Sequence, residues 1–414
     1  MNYTKRITAL ILALFSLLGL TACGQDPSAN TEGSSADSQK WVSAGRYEGA
    51  FSDQGYYYER NHILCYLDIA TGNTTALCTK AGCLHDQEPS NRLREHCDAY
   101  LSGNNFKFGG LCFWNGSMYY INFEKNGLNL FRSDVTWTEH VELGSLGTQY
   151  IENKQSITAT NYALTEDYWY YSAEVKGSVW DEDALQWTDK LVLSYISRID
   201  LRTGKEEIVV EEQGNMLELF AAQNDTVLFS TQKMPDTKIG DPASLEQLAK
   251  FPILLKRWDG ETRQITTLFE KYSSECSKIN GFYGGKIYYT VPDSTTQSNQ
   301  HTFDISTGQD KLFLEQKGVL LWPGGYGRLV NLKPNEGKYL LDLRSGKKLP
   351  IDIEGTPGFE CYAEHGCILR CPVTSADGEA TELRLCYVPY TALSDGLQEA
   401  DLSRSILGRT DTSE

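Results

Sequence analysis

The stretch Asp68-Ile69-Ala70-Thr71-Gly72 is the first of four copies of one phrase, in which Asp is followed by two residues, by Thr or Ser, and by Gly. In such a phrase the Asp side chain accepts hydrogen bonds from turn amides, and Gly adopts the positive φ that closes a bulged hairpin turn. Each copy therefore predicts the end of one strand and the start of the next. The other copies are Asp200-Leu201-Arg202-Thr203-Gly204, Asp304-Ile305-Ser306-Thr307-Gly308 and Asp342-Leu343-Arg344-Ser345-Gly346.

Aromatic and apolar clusters such as Tyr56-Tyr57-Tyr58 precede these turns and are typical of strands. Weaker turns at Ser133-Asp134 and Asp259-Gly260 fill the long gaps, and the pattern returns seven times in all. Repeats of about 40 to 65 residues suit four-stranded blades with loop insertions. The sequence thus predicts an all-β fold, a β-propeller of seven four-stranded blades. The alternative is a set of unrelated hairpins in two β-sandwiches.

A propeller also needs a segment that closes its ring. Residues 41–51 precede the first blade, and we expect them to pair with the sheet of the last blade. Residues 242–250 and 393–407 have the composition of helices or loops and are expected at the rim. The propeller is therefore assigned to residues 41–407, followed by a C-terminal tail at 408–414.

The N-terminus has the order of charges and apolar residues that is typical of an export signal. Lys5 and Arg6 precede an apolar stretch at residues 7–20 that only Thr8 and Ser16 interrupt. About 14 helical residues reach about 21 Å, which is short of a hydrocarbon core of about 30 Å. Residues 1–22 are therefore predicted to be a removable signal peptide rather than a permanent span.

The signal ends in Leu20-Thr21-Ala22-Cys23-Gly24, which matches the lipobox of bacterial lipoproteins. The match implies that the chain is cut after Ala22 and carries diacylglycerol on Cys23; a plain secretory signal is the alternative. Residues 24–40 are rich in Ser, Ala, Asp, Gly and Thr and cannot bury enough apolar surface to fold. They are predicted to be a disordered tether that holds an extracytoplasmic body at the cell membrane.

The charge of the chain excludes one class of partner. Its formal net charge is −17, and it becomes −19 without the signal, because Lys5 and Arg6 leave and no acid does. A strongly anionic body repels phosphate backbones. Nucleic acid is therefore not an expected partner.

These features together resemble a known group of proteins. The lipobox at Cys23, the Asp to Gly phrases, and the segment from Leu77-Cys78 through Cys83-Leu84-His85-Asp86 to Cys97 are similar to those of the uncharacterised propeller-type lipoproteins of Gram-positive gut bacteria. Those lipoproteins are distant relatives of the YWTD-like propellers of receptor ectodomains. The YWTD phrase is absent here, and the nearest text is Tyr168-Trp169-Tyr170-Tyr171. The resemblance implies a propeller and a surface location, and it implies no activity.

Catalytic motifs are not evident in the sequence. No Gly-x-Ser-x-Gly elbow occurs, and Gly324-Gly325-Tyr326-Gly327 lacks the Lys and the flanking elements of a P-loop. Acid pairs such as Asp181-Glu182-Asp183, or Asp352 with Glu354, have the residue types of a glycosidase or a calcium site. With 55 acids in the chain such pairs arise by chance, and solvated loops are the favoured interpretation. No catalytic residue and no cofactor is therefore predicted.

Tryptophans suggest a surface that binds carbohydrate, because indole faces stack on sugar rings. Trp180 and Trp187 fall in an insertion between predicted strands and are the best candidate ligand-binding residues. Trp114, Trp137 and Trp322 also fall in or near predicted loops. Core packing between blades is the alternative for each of them.

Ten cysteines remain beside Cys23, an even number that suggests five disulfides in an exported chain. Cys65 and Cys78 flank one predicted turn, and Cys371 and Cys386 flank another. Cys83 and Cys97 bracket a polar loop and are predicted to form a disulfide. The four cysteines without an assigned partner are Cys112, Cys276, Cys361 and Cys367.

The alternative for this region is a zinc site. Cys78, Cys83, His85 and Cys97 supply thiolates and an imidazole, the ligands that zinc prefers, with His96 in reserve. Their spacing is not that of a standard zinc motif, and an anoxic habitat would keep the thiols reduced. Disulfides are the favoured interpretation at this stage.

Two functions of different class remain open. The first is a non-catalytic surface module whose propeller face binds a glycan, a peptide or a protein. The second is a surface glycoside hydrolase or lyase that works with loop carboxylates on the same face. Two carboxylates about 5 to 10 Å apart in a deep pocket would favour the enzyme, and a shallow aromatic face would favour binding.

Overall fold

The computed structural model describes the chain from Trp41 to Pro389 with gaps. The described residues are 41–45, 49–52, 54–60, 62–101, 110–124, 127–152, 156–181, 186–235, 246–292, 298–316, 321–324, 328–331, 339–342, 348–350, 358–362, 366–374 and 381–389. The predicted signal peptide, tether and C-terminal tail lie outside them, as does the rim segment at 393–407. Among the described helices, none has the length and apolar character needed to span a membrane.

The described strands form seven antiparallel sheets, which we call blades 1 to 7 in chain order. Blades 1 to 6 each hold four consecutive strands, and three strands of blade 7 are described. Strand β1 spans Val42–Ser43; blade 1 consists of β2 Gly49–Phe51, β3 Gly55–Arg60, β4 Ile63–Asp68 and β5 Thr74–Ala76, and blade 2 of β6 Cys112–Trp114, β7 Ser117–Glu124, β8 Gly127–Asp134 and β9 His140–Leu146. Blade 3 consists of β10 Ser156–Leu164, β11 Tyr168–Asp181, β12 Gln186–Asp200 and β13 Glu206–Gln213, and blade 4 of β14 Asn215–Gln223, β15 Thr226–Lys233, β16 Ile253–Asp259 and β17 Gln264–Lys271. Blade 5 consists of β18 Lys278–Tyr283, β19 Lys286–Pro292, β20 Ser298–Asp304 and β21 Asp310–Gln316, blade 6 of β22 Leu321–Gly324, β23 Arg328–Asn331, β24 Tyr339–Asp342 and β25 Lys348–Pro350, and blade 7 of β26 Gly358–Tyr362, β27 Gly366–Thr374 and β28 Thr381–Pro389.

Short helices occur only in the connections among the described residues. They are a 3-10 turn at His85–Gln87, α1 Asn91–Arg94, α2 Thr148–Glu152 and a single turn at 246–248. The last lies in the segment 242–250 that was expected to be helical or loop-like, and residues 242–245 are outside the described part.

The repeated Asp to Gly phrases occupy equivalent places in their blades. The copies that begin at Asp68, Asp200 and Asp304 each join the third strand of a blade to the fourth. The fourth copy follows β24 at Asp342 in the same position, although its turn lies outside the described residues. The weaker turn after Asp134 also joins third and fourth strands. The predicted seven-bladed propeller is therefore confirmed, and the repeats mark one structural position.

The turn at Asp68 shows why the phrase recurs. The carboxylate of Asp68 accepts hydrogen bonds from the amide of Thr71 at 2.7 Å and from its hydroxyl at 2.9 Å. Gly72 has a φ of 72° and donates its amide to the carbonyl of Asp68 at 2.8 Å. Other side chains rarely adopt that φ, so the phrase ends in Gly.

The predicted closure by residues 41–51 is wrong for the described residues. Strand β2 is the first strand of blade 1, and β1 pairs with β14 of blade 4 rather than with blade 7. Blades 1 and 7 meet through side chains, because the rings of Phe51 and Tyr387 lie 6.3 Å apart between centroids. Aromatic and apolar packing joins these two blades, where we expected a shared sheet.

Strand β1 lies at the axis of the ring. The first strands of neighbouring blades contact one another, so they line the centre. Val42 pairs with Ala222 of β14, Gly45 forms a bridge to Tyr162 of β10, and the Trp41 ring lies 5.6 Å from that of Phe282 in β18. The segment 41–45 therefore contacts the first strands of three successive blades.

The core lies between the blades. Blades 2 and 3 share one cluster in which Trp169 and Tyr171 are fully buried, and blades 3 and 4 share another around Tyr170 and Phe229. Most aromatic residues of the repeated strands face these seams, where each large ring buries apolar area against the next blade.

Candidate functional site

The connection from blade 1 to blade 2, residues 77–101 in its described part, holds the most chemically distinctive cluster. Both ends of this connection are hydrogen-bonded to the start of β4. The amide of Leu77 donates to the carbonyl of Leu64 at 3.0 Å, and the amide of Leu64 donates to the carbonyl of Ala99 at 2.8 Å. The Leu101 amide donates to the carbonyl of His62 at 2.7 Å. These bonds hold the two ends side by side, which brings distant cysteines together.

Four side chains converge between the two ends. The sulfurs of Cys78, Cys83 and Cys97 and one ring nitrogen of His85 all lie within 4.8 Å of one another. The Cys97 sulfur lies 3.6 Å from Nδ1 of His85. Cys97 is 5% exposed, and the other three are half-buried. Three thiols and an imidazole in such a cluster form a complete set of four ligands for a tetrahedral metal ion.

Tight turns position these ligands. Gly82 has a φ of 74° immediately before Cys83, and His85 has a φ of 55°, a conformation that costs free energy for a residue with a Cβ. The amide of Cys97 donates to the carbonyl of Arg94 at 2.8 Å, at the end of α1. The cluster thus depends on a local backbone that departs from ordinary strand and helix geometry.

Backbone amides also point at the sulfurs. Burial raises the pKa of the Cys78 thiol, but hydrogen bonds from the amides of Lys80 and Asp98 and from the neighbouring thiols outweigh burial and lower it overall. Burial raises the pKa of Cys97, although the amide of Ala99 donates a hydrogen bond to its sulfur. The two thiols therefore differ in how readily they ionise.

A cation stands beside the cluster. The ammonium of Lys80 lies 2.7 Å from the carboxylate of Asp98 and donates to the carbonyl of His96 at 2.6 Å. Its hydrogen bond to Asp98, with the nearby Cys78 and Cys97, raises the pKa of Lys80. The charge of Lys80 is thus paired mainly with Asp98, and two of the cysteines lie near this ion pair.

The predicted disulfides are not formed in this region. No disulfide bond involves Cys65, Cys78, Cys83 or Cys97. The register explains the first pair, since Cys65 lies opposite Ala76 in the β4–β5 ladder and not opposite Cys78. Cys83 and Cys97 belong instead to the four-ligand cluster, the arrangement that the sequence left as the alternative. His96 is exposed and is not one of the four.

The third predicted pair lies in blade 7. Cys371 is opposite Arg384 and Cys386 is opposite Leu369 in the β27–β28 ladder. The two cysteines are thus diagonal rather than directly opposite, which is a longer separation than that of facing partners. Their pairing stays a prediction.

Trp180 and Trp187 are directly opposite each other in the β11–β12 ladder. They do not lie in an insertion between strands, as the sequence suggested, but within two long strands of 14 and 15 residues. Pairing with β10 ends at Lys176 and pairing with β13 ends at Leu193. The rest of the β11–β12 ladder therefore extends beyond blade 3 as a two-stranded hairpin, which we call the projecting hairpin.

Two other tryptophans are in the core and not at the surface. Trp137 is 4% exposed and donates its indole N–H to the carbonyl of Asp98 at 3.0 Å. Trp114 is half-buried and packs against the cluster shared by blades 2 and 3. Trp137 and Trp114 therefore agree with the alternative interpretation, in which they pack in the core between blades. Trp322 lies in β22, and its side chain is outside the described part.

The remaining candidate positions are not described. Cys23 lies outside the described residues, as do Glu182, Asp183, Asp352 and Glu354. Asp181 ends β11 opposite Gln186. The acid pairs are therefore untested as a catalytic or calcium site.

Sequence reasoning missed an ionic cluster between blades 3 and 4. Arg198 donates to Glu207 at 3.0 and 2.9 Å, forms an ion pair with Asp225, and lies 4.2 Å above the ring of Tyr168. Its side chain is 11% exposed. No sequence signal could have found it, because its partners come from different blades and have no fixed spacing.

Comparisons with known proteins agree with the fold. No protein-family model matches the chain, and no curated protein matches it. Among solved structures, a puromycin-hydrolyzing peptidase of Mycobacterium tuberculosis is similar at a TM-score of 0.50 and 10% identity, over 85% of this chain and 52% of that chain. An oligogalacturonate lyase of Vibrio parahaemolyticus has a TM-score of 0.49 and 12% identity, over 86% of this chain and 93% of that chain.

The chain thus spans about half the length of the peptidase. At 10% identity the likeness to the peptidase concerns the fold alone, and it agrees with the seven-sheet ring of a β-propeller.

Proposed function

We propose that this protein is a lipid-anchored, extracytoplasmic β-propeller that acts as a non-catalytic binding module for a glycan. The main structural support is the position of β1, because it determines at which end of the ring a tether ahead of Trp41 would lie. The lipobox at Cys23 and the low-complexity residues 24–40 supply the anchor and the tether.

The direction of β1 gives the orientation. It runs antiparallel to β14, and the bridge from Gly45 to Tyr162 is antiparallel as well. Val42 is opposite Ala222, one residue before the end of β14. The chain therefore enters the ring at the end where the first strand of each blade turns into the second.

The projecting hairpin lies at the other end. Strand β11 starts at the turn after β10 and runs away from it, so the last pair of its ladder with β12, Asp181 opposite Gln186, is at the opposite end of blade 3. Five residues at about 3.3 Å each carry the hairpin about 17 Å beyond its neighbours. A propeller tethered through residues 24–40 would present this hairpin away from the membrane.

The hairpin suits a carbohydrate ligand. Directly opposite residues in an antiparallel ladder are close neighbours on one face of a sheet, and Trp180 is opposite Trp187. Indole rings at two facing positions would offer the flat apolar surface on which sugar rings stack, with little side-chain entropy to lose. The net charge of −19 without the signal favours a neutral glycan over a polyanion.

Affinity electrophoresis of the full chain, extracted in mild detergent, tests the proposal. Native gels would contain xylan, mannan or β-glucan, and the same polysaccharides would be assayed for new reducing ends. We expect retardation in at least one gel without release of reducing ends. Double substitution of Trp180→Ala and Trp187→Ala should abolish the retardation, because both stacking surfaces are lost.

The matched control is Val179→Ala with Thr188→Ala, a pair directly opposite each other in the same hairpin. This control should still be retarded. Retardation that survives loss of both tryptophans, or failure of every polysaccharide to retard the chain, would overturn the glycan assignment. Steady release of reducing ends would favour the hydrolase or lyase instead.

A further inference from the structure

We propose that Cys78, Cys83, His85 and Cys97 bind one Zn²⁺ ion in a closed tetrahedral site that fixes the blade 1 to blade 2 connection onto β4. The site is independent of the glycan-binding proposal. It rests on the convergence of the four ligand atoms within 4.8 Å, although the ligands span 20 residues of chain from Cys78 to Cys97.

The distances fit a single ion. Zn–S bonds of about 2.3 Å and Zn–N bonds of about 2.0 to 2.1 Å place tetrahedral ligand atoms about 3.5 to 3.8 Å apart. The Cys97 sulfur and His85 Nδ1 are already 3.6 Å apart. The widest pair, at up to 4.8 Å, would close by about 1 Å on binding. A cluster of several metal atoms would hold ligands on different atoms farther apart than this.

The ligand types favour zinc over other common ions. Three thiolates exclude Ca²⁺ and Mg²⁺, which take oxygen ligands. Thiolate and imidazole in tetrahedral geometry are the preferred ligands of Zn²⁺. Because all four positions are filled by protein, no place is left for a reacting water, and the site is structural rather than catalytic.

The surroundings balance the charge. Zn²⁺ with three thiolates and a neutral imidazole carries a net charge of −1, and the three protons of the thiols go to solvent on binding. Amides of Lys80 and Asp98 donate to the Cys78 sulfur, and the amide of Ala99 donates to that of Cys97. The exposed ammonium of Lys80 lies near the two sulfurs but is paired with the carboxylate of Asp98 at 2.7 Å, so the amide donors are the main groups that stabilise the negative charge of the site.

The connection needs a stabilising interaction such as a bound metal ion, because it has little apolar core of its own. Leu84 is 55% exposed and Leu93 is 45% exposed, so the segment between the cysteines buries little apolar surface. Beyond Cys97, the chain returns to β4 and contributes the buried Ala99 and Leu101 to blade 1. A metal ion supplies the folding free energy that apolar burial does not.

Metal analysis of the full chain, purified anaerobically from cells supplied with zinc, tests the proposal. Elemental mass spectrometry should find about one zinc per chain, the stoichiometry of a single closed site. Cys78→Ser, Cys97→Ser and His85→Asn should each lower that content about tenfold or more. Co²⁺ substitution should give the d–d absorption of a tetrahedral site with thiolate-to-cobalt charge transfer.

Two further variants separate ligation from folding. His96→Asn changes an exposed histidine of the same connection and should keep its zinc, and His85→Cys should keep it because a fourth thiolate replaces the imidazole. Zinc at background level in the wild-type chain, with Cys83 and Cys97 recovered as a linked peptide, would overturn the proposal in favour of a disulfide. Equal zinc in His85→Asn and His96→Asn would overturn it as well.

Discussion

At the scale of single residues, Arg198 joins two blades through several polar contacts. Its guanidinium lies between Glu207 of blade 3 and Asp225 of blade 4, over the ring of Tyr168. Replacement of Arg198 by Met removes these bonds and leaves two half-exposed carboxylates near each other. We expect a loss of about 1 to 3 kcal/mol in the free energy of unfolding, seen as a lower urea midpoint.

Arg202→Met is the matched control. Arg202 is 84% exposed and lies 4.0 Å from Asp200, so its loss should change the stability by less than about 0.5 kcal/mol. Equal midpoints for the two variants would show that the Arg198 cluster does not hold the blades together.

The ligand cluster was partly visible in the sequence at this same scale. Cysteine and histidine are rare enough that Cys78, Cys83, His85 and Cys97 stood out as four ligands, and the structure brings all four together. The sequence did not show whether these residues form disulfides or bind a metal ion, because both use the same residue types. The choice depends on how β4 hydrogen-bonds to both ends of the connection, and spacing does not encode that.

At the scale of elements, the repeated hairpin turns are equivalent in position but differ in surroundings. Gly204 and Gly308 both close such turns, with φ of 70° and 68°. A Cβ at Gly308 meets no atom within 4 Å, whereas one at Gly204 would overlap the carbonyl oxygen of Leu143 in blade 2. Gly308→Ala should therefore cost about 1 to 2 kcal/mol from backbone strain alone.

Gly204→Ala should cost clearly more than Gly308→Ala, because the blade 2 backbone must also shift. Thermal unfolding of the two variants side by side measures the difference. Identical melting temperatures would contradict the close approach of the Asp200 turn to β9.

The connection at residues 77–101 offers a second test of an element. If a metal ion fastens it, a strong chelator should open it while the blades remain folded. Trypsin should then cut after Arg92 or Arg94 at a rate that rises several-fold on chelation, and added zinc should reverse the effect. A cleavage rate that is the same with and without chelator would count against a metal-dependent connection.

At the scale of the whole molecule, the hairpin turns make stability depend on pH. Hydrogen bonds lower the pKa of the turn aspartates: mainly the amides of Thr71, Thr203 and Thr262 for Asp68, Asp200 and Asp259, and the hydroxyl of Ser306 for Asp304. A depressed folded pKa gives stability that is fully present above the unfolded value of about 3.9 and is lost as pH falls toward the folded value. The melting temperature should thus hold from about pH 7 to 5 and fall below about pH 4.

A triple variant, Asp68→Asn, Asp200→Asn and Asp304→Asn, tests the cause. It should melt at a lower temperature than the wild type at neutral pH, and the gap should narrow in acid because asparagine does not titrate. If the difference in melting temperature between the two proteins stayed constant from neutral to acid pH, the turn aspartates would not be the cause of the acid sensitivity.

The overall architecture was predictable because a propeller repeats. Each Asp to Gly phrase predicts one local hairpin, and few folds repeat the same hairpin four times along one chain. The role of β1 was not predictable. Val42 and Ser43 are a two-residue strand whose partners in β14 are almost 180 residues away, and a pairing of that kind leaves no local pattern. The projecting hairpin was not predictable either, since a continuous β11–β12 ladder lies where we expected an insertion between strands.

Membrane fractionation of the wild type beside Cys23→Ala tests whether lipid on Cys23 holds this propeller at a membrane. Each buried methylene contributes about 0.8 kcal/mol, so removal of the acylated residue removes the whole anchor. We predict that the wild-type chain sediments with membranes and that Cys23→Ala, with its ring unchanged, appears in the soluble extracytoplasmic fraction. A Cys23→Ala chain that stays with the membranes would show that lipid on Cys23 is not the anchor.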